Sequence, residues 1–172
     1  MSACTDLGQE STQPESDVVE YPGPDVYYES VWGSSTNNVM AVGSKGGIMH
    51  FNGTSWTQME STTSRTLKDV WGTSADNVYA LGSGGTMSRI LTVTEIRQSI
   101  KSGTNEGLYG IWGNFEDNLY AVGVDGVITH YDGTNWSHAG VITKWNLKDI
   151  WGSRDRVFIV GGFGTLLEID LQ

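Results

Sequence analysis

Apolar residues along this chain come in short runs broken by Gly, Asn, Asp and Ser. Within the runs they tend to alternate with polar residues, and no stretch sustains the three-to-four spacing of an amphipathic helix. The runs recur. Trp32-Gly33, Trp71-Gly72, Trp112-Gly113 and Trp151-Gly152 follow one another at spacings of 39, 41 and 39 residues, and each Trp follows Val31, Val70, Ile111 or Ile150. A second block trails each pair: Asn38 to Gly43, Asn77 to Gly82, Asn118 to Gly123 and, more loosely, Arg156 to Gly161. A period near 40 residues defines a repeat architecture.

Each unit reads as strands and turns. A first run ends at Trp-Gly, a polar loop leads to a second run, and a Gly-rich turn (Gly43 to Gly47, Gly82 to Gly85, Gly123 to Gly126, Gly161 to Gly164) leads to a third. Asp132-Gly133-Thr134 then opens a fourth run at Trp136, in a turn where Gly supplies the positive φ. Four strands per repeat of about 40 residues predict an all-β fold, a β-propeller of four-stranded antiparallel blades, with repeats starting near 31, 70, 111 and 150. Two units depart from the pattern: the second lacks Asp-Gly-Thr-x-Trp, replaced by a longer stretch from Arg89 to Lys101, and the fourth stops after its third strand, Leu166 to Leu171.

The start of the chain offers a remedy. Trp56 and Trp136 each stand 15 residues before the next repeat Trp, and 15 residues before Trp32 stands Asp17. Residues 17–21 are therefore in fourth-strand register and are expected to complete the last blade, leaving no exposed strand edge. The domain is then 17–172, closed as a four-bladed ring from one chain. The other geometry is an eight-bladed ring made by two chains that exchange this strand, a homo-oligomer.

Composition narrows the function classes. Of 172 residues 23 are Gly and 17% are charged, in keeping with a turn-rich repeat protein. The net charge of −10 argues against nucleic acid as partner. Seven acids and no bases fall within residues 1–30, so the body is nearly balanced. No apolar run is long enough to span a membrane. Residues 1–16 are polar and acidic, the composition of a flexible tail. Met1-Ser-Ala-Cys4 has the small residues before Cys of a bacterial lipid-attachment site, making Cys4 the candidate attachment residue although no signal peptide precedes it. Cys4 is also the only cysteine, so no intrachain disulfide forms.

The units Trp71 to Gly82 and Ala121 to Trp136 resemble the Trp-Gly-Ser and Ala-Val-Gly repeats of bacterial extracytoplasmic β-propellers. They are also similar to the repeats of photosystem II stability factors and sialidase-like propellers. The resemblance covers about residues 17–172 and implies the fold and an extracytoplasmic location, secreted, periplasmic or lipid-tethered. Thr129 to Trp136 departs from the sialidase box in its spacing, so sialidase activity is not implied.

Candidate chemistry is sparse. Nucleophile elbows, phosphate loops and paired metal-ligand motifs are missing, so neither catalytic residues nor a metal or cofactor is expected. His50, Arg89, His130 and Glu168 share one third-strand position, read as hydrogen-bonded residues of blade interfaces rather than ligands. The four repeat Trp are read as packing between blades. Trp145 is different: the aligned residue in the first repeat is Arg65, so no repeat demands an aromatic there, and Trp145 becomes a candidate glycan or protein contact. Asp76, Glu116, Asp117 and Asp155 occupy corresponding loops after Trp-Gly and are candidate ligand-binding acids. The expected function is non-catalytic binding or scaffolding toward a glycan or a protein. A glycan-processing hydrolase using those loop carboxylates is the competing reading, and a module that only self-assembles is the third.

Overall fold

A computed structural model describes residues 25–92 and 95–171. The tail 1–16, Cys4 and the proposed closing strand 17–21 lie outside the described residues. Four antiparallel sheets follow one another along the chain. Blade 1 holds β1 (Tyr28–Ser35), β2 (Asn38–Gly43), β3 (Ile48–Phe51) and β4 (Trp56–Gln58); blade 2 holds β5 (Leu67–Ser74), β6 (Asn77–Gly82), β7 (Met87–Thr92) and β8 (Glu95–Ser99). Blade 3 holds β9 (Leu108–Phe115), β10 (Asn118–Gly123), β11 (Val127–Tyr131) and β12 (Trp136–Val141); blade 4 holds β13 (Leu147–Gly152), β14 (Arg156–Gly161) and β15 (Leu166–Asp170). The sheet order is that of the sequence in every blade. Blade 2 thus has its fourth strand although it lacks Asp-Gly-Thr-x-Trp. Blade 4 has three strands among the described residues, as the truncated repeat predicts.

The turns explain why these residues form blades. Second and third strands are joined by tight 3-10 turns, and their middle residues Lys45, Gly84, Asp125 and Phe163 all take the left-handed conformation (φ 51 to 63°). Third and fourth strands are joined in blades 1 and 3 by turns that Asn52 and Asp132 hold, each accepting two backbone N–H bonds at 2.8–2.9 Å. Gly133 has φ 89° in the second of these, as the Asp-Gly pair predicts. The third turn stands beside the first turn of its blade, Gly53 against Asn37 and Gly133 against Asp117. The 3-10 turn stands beside the connection to the next blade, Gly46 against Thr63 and Gly126 against Thr143. First and third turns therefore form one face and 3-10 turns and connections the other.

The core lies in three seams between successive blades. Blades 1 to 3 each send forward a repeat Trp with three further largely apolar side chains: Trp32, Met40, Val42 and Ile48 from blade 1 meet Leu67, Val70, Val78 and Ala80 of blade 2. Fully burying each such side chain contributes about 1.5–3 kcal/mol. The Trp requires Gly in the next blade, since a Cβ at Gly72 would stand 2.9 Å from Trp32 Cη2 and one at Gly152 2.8 Å from Trp112 Cη2.

The inner strands are stitched further. Register breaks after Tyr28, Leu67, Leu108 and Leu147 leave Glu29, Lys68, Tyr109 and Lys148 as the extra residues of β-bulges. Lys68 Nζ then reaches Glu29 at 2.7 Å, and Lys148 Nζ lies 4.1 Å from the centre of the Tyr109 ring. Asp69 ties three blades together. Its Oδ1 accepts from Val70 N and Ser30 Oγ at 2.8 and 2.7 Å, and its Oδ2 from Ile111 N at 2.9 Å.

Among the described residues the first and last blades do not meet: β1 packs on β5, β5 on β9 and β9 on β13, but no such packing joins β13 to β1. The four blades make an arc with two bare ends. Trp151 is 63% exposed, so the interblade role expected of all four repeat Trp is met by Trp32, Trp71 and Trp112 alone.

Candidate functional site

The four candidate acids share a face. Asp76, Glu116, Asp117 and Asp155 are exposed in or beside equivalent first turns, where Asn114 Nδ2 also donates to Arg154 O of the neighbouring blade at 3.1 Å. Trp145 is on the opposite face. It is half-buried in the connection before blade 4 and stacks on Phe163 of the 3-10 turn, with ring centres 3.9 Å apart and Lys144 Nζ 4.9 Å from the indole. The structure therefore separates the acids from the aromatic, and one small ligand cannot touch both. One face of the Trp145 indole is already taken, which leaves Phe163, 84% exposed, as the outer surface of that stack.

The shared third-strand position is bonded within each blade rather than across blades. His50 Nε2 meets Asn38 Oδ1 at 2.7 Å, His130 Nε2 meets Asn118 Oδ1 at 2.6 Å, and Arg156 Nη1 donates to Glu168 Oε1 at 2.8 Å. In each pair the third strand is locked to the start of the second. Burial holds both histidines below their ordinary pKa, with the Asp132 carboxylate partly opposing this at His130. The position was expected to serve a blade interface; the hydrogen bonds run inside the sheets because Asn38 and Asn118 begin the adjacent strand.

Arg89 is the exception. It has replaced the His in the repeat that is irregular, and its guanidinium carbon lies 5.8 Å from the centre of the Tyr79 ring. It lines a cleft of about 470 Å³ along the seam between blades 2 and 3, with Tyr79, Lys101, Tyr131, Asn135 and Trp136. The three aromatic rings form one cluster, with centres 5.6–6.3 Å apart. Two donors on this wall, Arg89 Nε and Trp136 Nε1, are buried without a hydrogen-bond partner. Tyr79 is buried as well, which raises its phenol pKa and keeps it protonated, although Arg89 acts in the opposite direction.

A buried unpaired N–H costs about 1–3 kcal/mol, so Arg89 Nε and Trp136 Nε1 each lack an acceptor that would offset this. Arg89 and Lys101 set the sign of that acceptor as negative or partly negative. Such a wall can hold a carboxylate or a backbone carbonyl against aromatic rings.

Sequence reasoning noticed the irregular second repeat and Arg89 without joining Arg89 to Trp136. The signal was present: a repeat residue replaced at a position whose neighbours keep His marks relaxed structural demand.

No protein-family model matches the chain, and no curated protein matches it in sequence. Its fold is that of solved propellers. YCF48 from Cyanidioschyzon merolae is similar at TM-score 0.69 and 22% identity, over 83% of this chain and 50% of that one. A structure described as YCF48 bound to D1 peptide gives 0.71 at 18% identity, over 84% and 51%. The computationally designed Ika4 protein gives 0.72 at 14% identity, over 91% and 99%, and the WD40 β-propeller domain of Doa1 gives 0.70 at 12%, over 84% and 51%. The chain thus spans about half the length of the YCF48 and Doa1 structures.

Proposed function

We propose that this protein is a non-catalytic scaffold that binds an extended, acidic segment of a protein partner in the cleft between blades 2 and 3. The observation that carries the reading is the pair of buried, unpartnered donors, Arg89 Nε and Trp136 Nε1, on a cationic and aromatic wall. A carboxylate side chain accepts from both, and the flanking backbone lies along the seam. A structure of the same fold described as bound to a peptide supports a protein partner. The four exposed acids on the first-turn face then serve turn geometry and solubility, not hydrolysis. The scaffold is read as working outside the cytoplasm, on the strength of the repeat resemblance.

Selection of peptides from a displayed random library, followed by anisotropy titration, tests this. Enrichment of Asp- and Glu-containing peptides is expected, with affinity falling about tenfold or more in Arg89→Met and in Trp136→Phe, which keeps a ring and removes only the N–H. Affinity unchanged in both variants contradicts the site. Turnover of an oligosaccharide by the wild type, abolished when Asp76, Glu116, Asp117 and Asp155 become amides, contradicts the non-catalytic reading and establishes the hydrolase instead.

A further inference from the structure

The two ends of the arc are the two halves of one seam. The forward set of blade 4 is Trp151, Phe158, Val160 and Leu166, in the register of Trp32, Met40, Val42 and Ile48. Val42, Leu81 and Val122 at the third place are fully buried, whereas Val160 is 44% exposed; Ile48 and Met87 at the fourth are 1% exposed, whereas Leu166 is 72% exposed. At the other end, Val31 is 64% exposed where Val70, Ile111 and Ile150 are 3–5% exposed. Gly33 is exposed where Gly72 and Gly152 are buried, each under the preceding Trp.

We infer that a second copy of this chain covers both ends, so that two copies joined end to end close one eight-bladed ring. Each copy sets Trp151 over Gly33 of the other, as Trp32 sits over Gly72 and Trp112 over Gly152. Three independent features make the ends fit each other rather than an arbitrary apolar partner.

The first is shape, since both ends repeat the register of a seam formed three times within the chain. The second is charge: the bulge residues along the arc run Glu29, Lys68, Tyr109 and Lys148, and the next neighbour of Lys148 across the joint is Glu29, the partner that Lys68 already takes at 2.7 Å. The third is a hydrogen bond in waiting. Asp149 Oδ1 accepts from Ile150 N at 2.8 Å as Asp69 Oδ1 does from Val70 N, which leaves Asp149 Oδ2 placed for Val31 N of the other copy, as Asp69 Oδ2 takes Ile111 N.

The four blades overlay about half of three longer propeller chains at TM-scores of 0.69–0.71, and nearly all of the Ika4 chain at 0.72. The joint is heterologous, and two joints related by a two-fold axis close it.

Light scattering of the 172-residue chain at micromolar concentration tests the inference. Twice the mass of one chain is expected. Val31→Asp and Trp151→Asp, at opposite ends, should each yield the mass of one chain with an unchanged far-ultraviolet circular dichroism spectrum, because Val31 is 64% and Trp151 63% exposed in the single chain and the Trp151 ring meets Phe158 of its own blade. Leu166→Asp supplies a second variant at the forward end with the same expected outcome. A wild-type mass of one chain, a ladder of higher multiples, or a dimer undisturbed by all three variants overturns the proposal. If only the ring inference fails, wild-type protein of one-chain mass still binds peptide in the Arg89 cleft; if only the binding reading fails, the dimer forms without binding peptide, and so the two are separable.

Discussion

His50 and His130 sit at the same register position of blades 1 and 3, each bonded to the Asn that starts the neighbouring strand. Burial lowers both pKa values, so the unfolded chain takes up protons first as pH falls through the ordinary value of about 6.5. The stability they contribute is therefore present above that pH and lost below it. Thermal melts are expected to show a midpoint that declines between pH 7.5 and 5.5, a slope flattened in the His50→Gln, His130→Gln double variant; an equal slope in both proteins contradicts the assignment. Asp69 runs the other way. Burial raises its pKa against the bonds from Ser30, Ile111 and Val70, so on acidification it takes up its proton in the folded state first and offsets part of the loss at lower pH. At this scale the sequence shows which residue types share a position. It does not show that Arg89 and Trp136, from different repeats, face one cleft, because only the packing of blade 2 on blade 3 brings them together.

Strands and turns were the most legible level, since period, Trp-Gly pairs and Asp-Gly turns each have a local cause. β8 was the exception: without the Asp-Gly-Thr-x-Trp signal its strand rests on pairing with β7, a tertiary effect that no local motif announces. The 3-10 turns were legible as Gly-rich but not as positive-φ turns docked on the next connection. Gly126 shows what they demand, with φ 74° and a neighbour so close that a Cβ would collide with the Thr143 carbonyl. Gly126→Ala is expected to destabilise the protein by about 2 kcal/mol or more, measured by urea unfolding. A loss within about 0.5 kcal/mol would mean that this turn is not fixed against its connection.

For the whole molecule, blade packing is one interface written repeatedly, with Trp over Gly, a bulge residue meeting the next bulge and, at blade 2, an Asp crossing to the following amide. Four repeats make the number of blades legible, whereas closure depends on curvature and on how the ends meet, neither of which is encoded in a local pattern. The bare ends at Val31 and Trp151 are thus the feature on which the account of the whole molecule turns. Amide hydrogen exchange at Val31 tests it most directly. The account predicts that in concentrated solution Val31 N–H is protected like its counterpart at Ile111, through Asp149 of the other copy, and that this protection is lost on dilution to single chains. Exchange at Val31 as fast as in the exposed turn at Thr36, or protection that survives dilution, would contradict it.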